Sequence, residues 1–233
     1  MGMKSLFIFL SVALSFATAD ALPVSAVKPD LKKTIEKIQA NLDKISNFSA
    51  SFSQVYRESK TRLESKSEGV VKFKKPGLMR WDYTNPSKKS FIVDGKSLWI
   101  YQPADKQVMF DHCFKQDTLT ASLSFLWGGG NIQKQFESEY FKKQFGEDES
   151  DLNIQLTPKA KSNYFKKLIL VIDAKTYEVK QSVVIDLTGN ANQFKFTDVK
   201  KSEIENAVFK FERSKAIQEL PIVGSDPNCK IKE

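Results

Sequence analysis

Between Ile45 and Phe48 the spacing of apolar residues changes from helical to alternating, and this change constrains the fold more than any other feature. Upstream, in "DLKKTIEKIQANLDKIS", Leu31, Ile35, Ile38, Leu42 and Ile45 recur at steps of four and three, with lysines on the other side. That is the pattern of one amphipathic helix, and Asp30 stands where it can cap the first turn. Downstream, "FSASFSQVY" sets Phe48, Ala50 and Phe52 against serines, the period of a strand. From there the chain is mostly strand. "EGVVKFKK" stops at the Pro76-Gly77 turn, and "LMRWDY" runs on to "TNPSKK". "SFIVDGKSLWIYQPADKQVMF" reads as three strands around the turns at Asp94-Gly95 and at Pro103 to Asp105, a meander of antiparallel neighbours.

The centre has another rhythm. Leu119, Leu123 and Leu126, and then Ile132, Phe136 and Tyr140, fall at helix-compatible spacings, so two short helices are expected on either side of Gly128 to Gly130. Strands resume in "LNIQLTPK", "FKKLILVIDAKTYEVKQSVVIDLTG", "NQFKFTDV" and "VFKFE", and the tail from Pro221 to Glu233 reads as irregular. Strands and helices do not alternate, which argues against a Rossmann-like sheet.

The first residues bear on the compartment. Lys4, the apolar run from Leu6 to Phe16 and the small residues Ala17 to Ala19 form a secretory signal peptide, expected to span residues 1–19 and to be cleaved. "VSA" at Val24 to Ala26 is a second candidate cleavage site. The apolar run is short for a bilayer span, and no cysteine near it could accept a lipid anchor. Residues 20–233 then form a single domain. The net charge of +8 suits either nucleic acid or an anionic membrane surface. Export and lysines spread along the whole chain favour the membrane, against a stacking platform built from Trp81, Tyr83, Trp99 and Tyr101.

No catalytic or metal constellation emerges. His112 is the only histidine, and with Cys113 as its immediate neighbour it makes neither a zinc set nor a Cys-His pair. The glycines at 128–130 lack the Lys-Ser/Thr of a phosphate loop, and no spacing singles out a carboxylate pair. Cys113 and Cys229, the only cysteines, are either a structural disulfide in an oxidising compartment or two free thiols. Eighteen phenylalanines exceed what one two-layer core calls for, and point to an apolar cavity or groove rather than a phenylalanine-rich core alone.

The segment "GVVKFKKPGLMRWDYTNPSKKSFIVDGKSLWIYQPADKQV", from Gly69 to Val108, resembles the periplasmic outer-membrane lipoprotein carrier family, LolA and its relatives. The leader, the N-terminal helix followed by "FSASFSQ", "LTPK" at 156–159, "IDLTGNANQFKFTDVK" at 185–200 and the late "FKF" at 209–211 agree in order. The resemblance implies an α+β, β-dominated fold: an incomplete, unclosed antiparallel β-barrel covered by a lid of short α-helices. It implies a monomeric periplasmic chaperone, without cofactor, metal or catalysis. Such a protein takes acylated lipoproteins from an inner-membrane ABC-type releasing complex and delivers them to an outer-membrane lipoprotein receptor. The family's lid-latching arginine falls at Lys75, with Arg80 as the alternative. Met79 aligns with a cavity-facing position, and Trp81 and Trp99 are either wall aromatics or ordinary sheet core. Leu119, Leu123, Leu126, Ile132 and Phe136 would form the underside of the lid. Two other readings stand beside this one: a carrier of glycolipid or another apolar lipid on the same scaffold, and a non-catalytic envelope interaction module without a cavity. The family's usual proline and glycine after the last "F-x-F" are replaced here by "FERSKAIQELPIVGSDPNCK", so strand placement is expected to differ at the C-terminus.

Overall fold

The computed structural model describes residues 28–114, 130–142, 145–163 and 165–223, together with 225 and 229. The leader and its cleavage sites, and Leu119, Leu123 and Leu126, lie outside the described residues. Helix α1 spans Leu31–Lys44, and the Asp30 carboxylate caps it by accepting from the Lys33 amide at 2.8 Å. The period change after Ile45 is the boundary between this helix and the first strand.

Six strands follow: β1 (Asn47–Arg57), β2 (Glu64–Lys74), β3 (Leu78–Asn85), β4 (Lys89–Asp94), β5 (Leu98–Gln102) and β6 (Gln107–Asp111). Each pairs antiparallel with the next, as the turn signals at Pro76-Gly77 and Asp94-Gly95 require. After a short helix α2 (Ile132–Gln135) come β7 (Phe136–Tyr140), β8 (Leu152–Pro158), β9 (Phe165–Ile172), β10 (Val179–Asp186) and β11 (Ala191–Lys200), a second antiparallel meander. Strand β1 pairs with β11 and joins the two halves. Among the described residues the result is one sheet of twelve strands in the order β12-β6-β5-β4-β3-β2-β1-β11-β10-β9-β8-β7, with β7 and β12 (Gln218–Pro221) at its unclosed edges.

Two expectations are corrected. Ile132, Phe136 and Tyr140 do not lie on one helix, because α2 ends after four residues and the chain continues as a strand. The helical spacing there coincides with strand alternation, since Phe136 and Tyr140 both fall on the less exposed face of β7. "VFKFE" is no strand: Asn206–Phe209 form a 3-10 turn, packed on β3 and β4, that leads into an irregular crossing. Gln218–Pro221 add β12 parallel to β6, just ahead of the tail.

Each face of the first half of the sheet carries its own apolar layer. Val71, Phe73, Met79, Trp81 and Val93 line the inner face. Ile92, Trp99 and Val108 point the other way and are covered by Phe211 and Ile217 of the C-terminal segment. Across the second half, α1 lays Ile35, Ile38 and Leu42 on Ile154, Leu170 and Val184. Cys113 and Cys229 are joined in a disulfide with their Cα atoms 5.9 Å apart, fastening the tail beside the end of β6.

The bond closes a sequence separation of 116 residues, so its reduction is expected to lower stability by up to about 5 kcal/mol through the freed unfolded chain. Urea unfolding with and without reductant measures this; a Cys113→Ser/Cys229→Ser double variant should match the reduced wild type.

Candidate functional site: an aromatic interior beside a clasped helix

The Pro76-Gly77 turn fixes which side chains of β3 enter the interior. Gly77 takes a left-handed conformation (φ 70°) that reverses the chain, and Lys74 then pairs with Leu78. Strand alternation sends Met79, Trp81 and Tyr83 inward, and Arg80 and Asp82 outward. Around Trp81 lie Phe52 at 4.7 Å, Phe194 at 5.1 Å and Phe196 at 6.3 Å between ring centroids. Phe52 also meets Tyr83 edge-on at 5.0 Å, and Phe48 packs on Phe73 at 5.4 Å. The Trp81 indole N–H donates to the Met79 sulfur at 2.8 Å, which meets its polar need without admitting water. Burial pushes the Tyr83 hydroxyl up to about 12 from its usual 10.0.

Polar contacts from three loops hold α1 on the neighbouring second-half cluster, and Ile45, just after the helix, reaches the aromatic one. From the β2–β3 turn, the Lys75 ammonium donates to the carbonyls of Leu42 at 3.0 Å and Asp43 at 3.4 Å. These carbonyls belong to the last turn of α1, where backbone acceptors lack helical partners and a cation complements the helix dipole. From the β9–β10 turn, the Thr176 carbonyl accepts from the Asn41 side chain at 2.6 Å, and the Tyr177 hydroxyl from Lys37 at 3.3 Å. Ahead of α2, the Gly130 carbonyl accepts from Gln39, whose own carbonyl oxygen accepts from the Ile132 amide at 2.9 Å. Beside the last turn of α1 is a cavity of about 70 Å³, lined by Leu42, Ile45, Phe48, Val179, Phe196 and Val199 among others.

The residues expected from the sequence separate into distinct places. Met79 and Trp81 lie together in the inner cluster. Trp99 does not join them: Arg80 pairs with Ile92 and Ile92 with Trp99, so all three share the outer face. There Trp99 stacks on Phe211 at 5.3 Å beneath the Arg213 guanidinium at 4.9 Å. Ile132 and Phe136 pack with α1 in the second-half cluster, away from Met79 and Trp81. Arg80 also faces outward, bound to the Asp82 carboxylate at 2.8 and 3.0 Å and to the Val208 carbonyl at 3.1 Å. Of the two basic residues, Lys75 is the one that touches α1. Phe52, Phe194 and Phe196 were not singled out as site residues, although alternation in "FSASFSQ" and "NQFKFTDV" places each on one face of its strand. Among the described residues no group of three His, Cys, Asp or Glu side chains could hold a metal ion.

Residues 43–212 match the family described as "Outer membrane lipoprotein carrier protein LolA". An outer-membrane lipoprotein carrier protein of Pseudomonas aeruginosa is 30% identical over 82% of this chain and 89% of its own length. One of Proteus mirabilis is 28% identical over 76% of this chain and 82% of its own. Among solved structures, an uncharacterized conserved protein from Thermus thermophilus superposes with a TM-score of 0.52 at 12% identity, over 82% of this chain and 98% of that one. That likeness extends to the fold alone.

Tyr83 provides a spectroscopic handle on the interior. Its folded pKa of about 12 lies above the unfolded 10.0, so the native state holds the phenol proton more tightly. Its contribution to stability is complete below pH 10.0 and is lost as the pH rises through about 12. Ultraviolet titration should show one tyrosine ionising near 12, and Tyr83→Phe should remove both that step and its share of the alkaline destabilisation.

Proposed function

The chain belongs to the LolA family of outer membrane lipoprotein carrier proteins, and we propose that it is a periplasmic chaperone that shields the acyl chains of lipoproteins between the inner and outer membranes. It acts as a monomer, receives cargo from an inner-membrane ABC-type releasing complex and passes it to an outer-membrane lipoprotein receptor. No bond is made or broken. The work is the shielding of hydrocarbon, which costs roughly 0.8 kcal/mol per methylene exposed to water.

One observation carries the reading: an aliphatic cluster under α1 adjoins an aromatic one at Ile45, and the helix is held by a few polar contacts. The cavity of about 70 Å³ beside α1 is small against the roughly 300 Å³ or more of a small-molecule site. Loading therefore accompanies displacement of α1, whose Ile35, Ile38 and Leu42 cover the lining in the empty state. Met79 supports this use because its flexible thioether adapts to a mobile chain. The Lys75 contacts are charge-assisted and contribute about 1.5–3 kcal/mol at most, enough to bias the helix shut and small enough for cargo to overcome. Lys75 is accordingly the latch in this reading, and Arg80 fastens the C-terminal segment.

Purified protein should release a triacylated lipoprotein from inner-membrane vesicles carrying the releasing complex, and hold it in soluble form. Failure with cognate membranes overturns the proposal. Recovery of free glycolipid or another lipid, without acylated protein, favours a lipid carrier on the same scaffold; an empty interior favours an envelope interaction module. Removing the latch with Lys75→Met shifts the helix towards open, so it is expected to tighten cargo binding by about tenfold and to slow hand-off. Arg80→Met should leave both unchanged, and equal effects from the two variants would remove Lys75 from this role.

A further inference from the structure

The cavity beside the last turn of α1 sits at a seam between the two inner clusters. Leu42 and Val179 on its wall pack with the α1 cluster, whereas Phe48 and Phe196 belong to the aromatic one. Ile45, the first residue after α1, packs against both clusters and stands between them. Only Ile45 and Ser46 connect the helix to β1, so this end of α1 is its tether and moves least when the helix is displaced. Entry of a first chain here is set by side chains, before the rest of the helix moves.

Both strands along the seam are modified to form it. Strand β10 slips register against β9 between Val179 and Gln181, and β1 slips against β11 between Ser49 and Ser51. The extra residues on β11 include Asp198, in the left-handed region at φ 53°. A bulge shifts strand parity by one. Phe194 and Phe196 point inward before it, and after it Val199 and Lys201, rather than Asp198, line the cavity. Val199 is 49% exposed, while Phe48 at the inner wall is 5% exposed. An apolar path therefore runs from solvent to the aromatic cluster, with the Glu178–Lys201 ion pair on its rim at 2.5 Å.

We propose that this seam is a port for a single acyl chain, gated by the Ile45 side chain and spanned at its rim by Glu178 and Lys201. It rests on the carrier reading. The ligand class follows from the lining, which offers hydrocarbon along the path and charge at the rim alone. The narrow width excludes the lipoprotein's polypeptide, which stays outside. Asn41 and Tyr177, on the wall, hold the port's edge through the Thr176 carbonyl and the Lys37 contacts, and so act as positioning residues.

The test uses the full-length oxidised protein and hexadecanoic acid carrying a diazirine near its methyl end, with a triacylated lipoprotein bearing the same photoreactive chain as the second arm. Adducts are expected on Leu42, Ile45, Val179 or Val199 in both arms. Val199→Trp, at an exposed position, should lower that labelling by about tenfold and slow uptake, because a filled port admits no chain. Leu63→Trp, also exposed but in the loop between β1 and β2, should change neither. Glu178→Gln frees Lys201 from the rim and should speed uptake, which keeps the proposal testable should the tryptophan variant fold poorly. Wild-type uptake and labelling in Val199→Trp, or adducts confined to residues away from the seam, overturn the port while leaving the carrier reading intact. Labelling by the free acid but not by the lipoprotein also overturns it, since the chain then enters only without its cargo. Absence of any binding overturns both.

Discussion

The pairing of β1 with β11 is the contact on which the remaining structure depends. It joins residues 47–57 to residues 191–200 across most of the chain, and without it each meander has a free edge and half an interior. It also brings Phe52 opposite Phe196 and Gln54 opposite Phe194, so that phenylalanines distant in sequence surround Trp81. Gly69 belongs to the same arrangement. It lies opposite Phe52, where a Cβ would collide with the Asp82 carbonyl oxygen and the Phe52 ring, and its absence lets that ring approach the sheet. The aromatic interior is thus a product of long-range register, whose ordering entropy is repaid only once the halves meet.

The two faces of the sheet have opposite tasks. Outside the first half, Trp99, Phe211 and Arg213 form a stacked layer with the C-terminal segment, reinforced by β12 on β6 and by the disulfide. This face is fastened at several points. Inside, α1 is an amphipathic helix whose apolar side covers the second-half cluster, and its polar contacts to the surrounding loops are a handful of hydrogen bonds.

Much of the architecture was legible in the sequence because period and turn chemistry are local. The Ile45–Phe48 change of period located the end of α1, and Pro76-Gly77 and Asp94-Gly95 located hairpins. Phe136 and Tyr140 were read as helical because a spacing of four also satisfies strand alternation. "VFKFE" looked like a strand, yet this segment crosses the sheet instead of pairing at an edge. Trp81 and Trp99 both sit in strands next to turn signals, and nothing local says that they face opposite ways. The inner phenylalanines of β1 and β11 were legible as one-sided, but their convergence on Trp81 was not.

By itself the sequence determined one helix followed by antiparallel meanders, and a surplus of aromatic residues in search of a common interior. It also determined the family, through the Pro-Gly/Arg-Trp and Asp-Gly-Lys/Leu-Trp-Ile-Tyr order. Only the tertiary structure decided which side of the sheet each aromatic faces, since a one-residue slip in register inverts every side chain. It also separated the two basic residues beside the turn. Lys75 leaves the strand at the turn and meets the α1 carbonyls, whereas Arg80, inside β3, is sent outward by alternation. That difference of a few positions is invisible in composition, because it depends on where the last turn of a distant helix comes to rest.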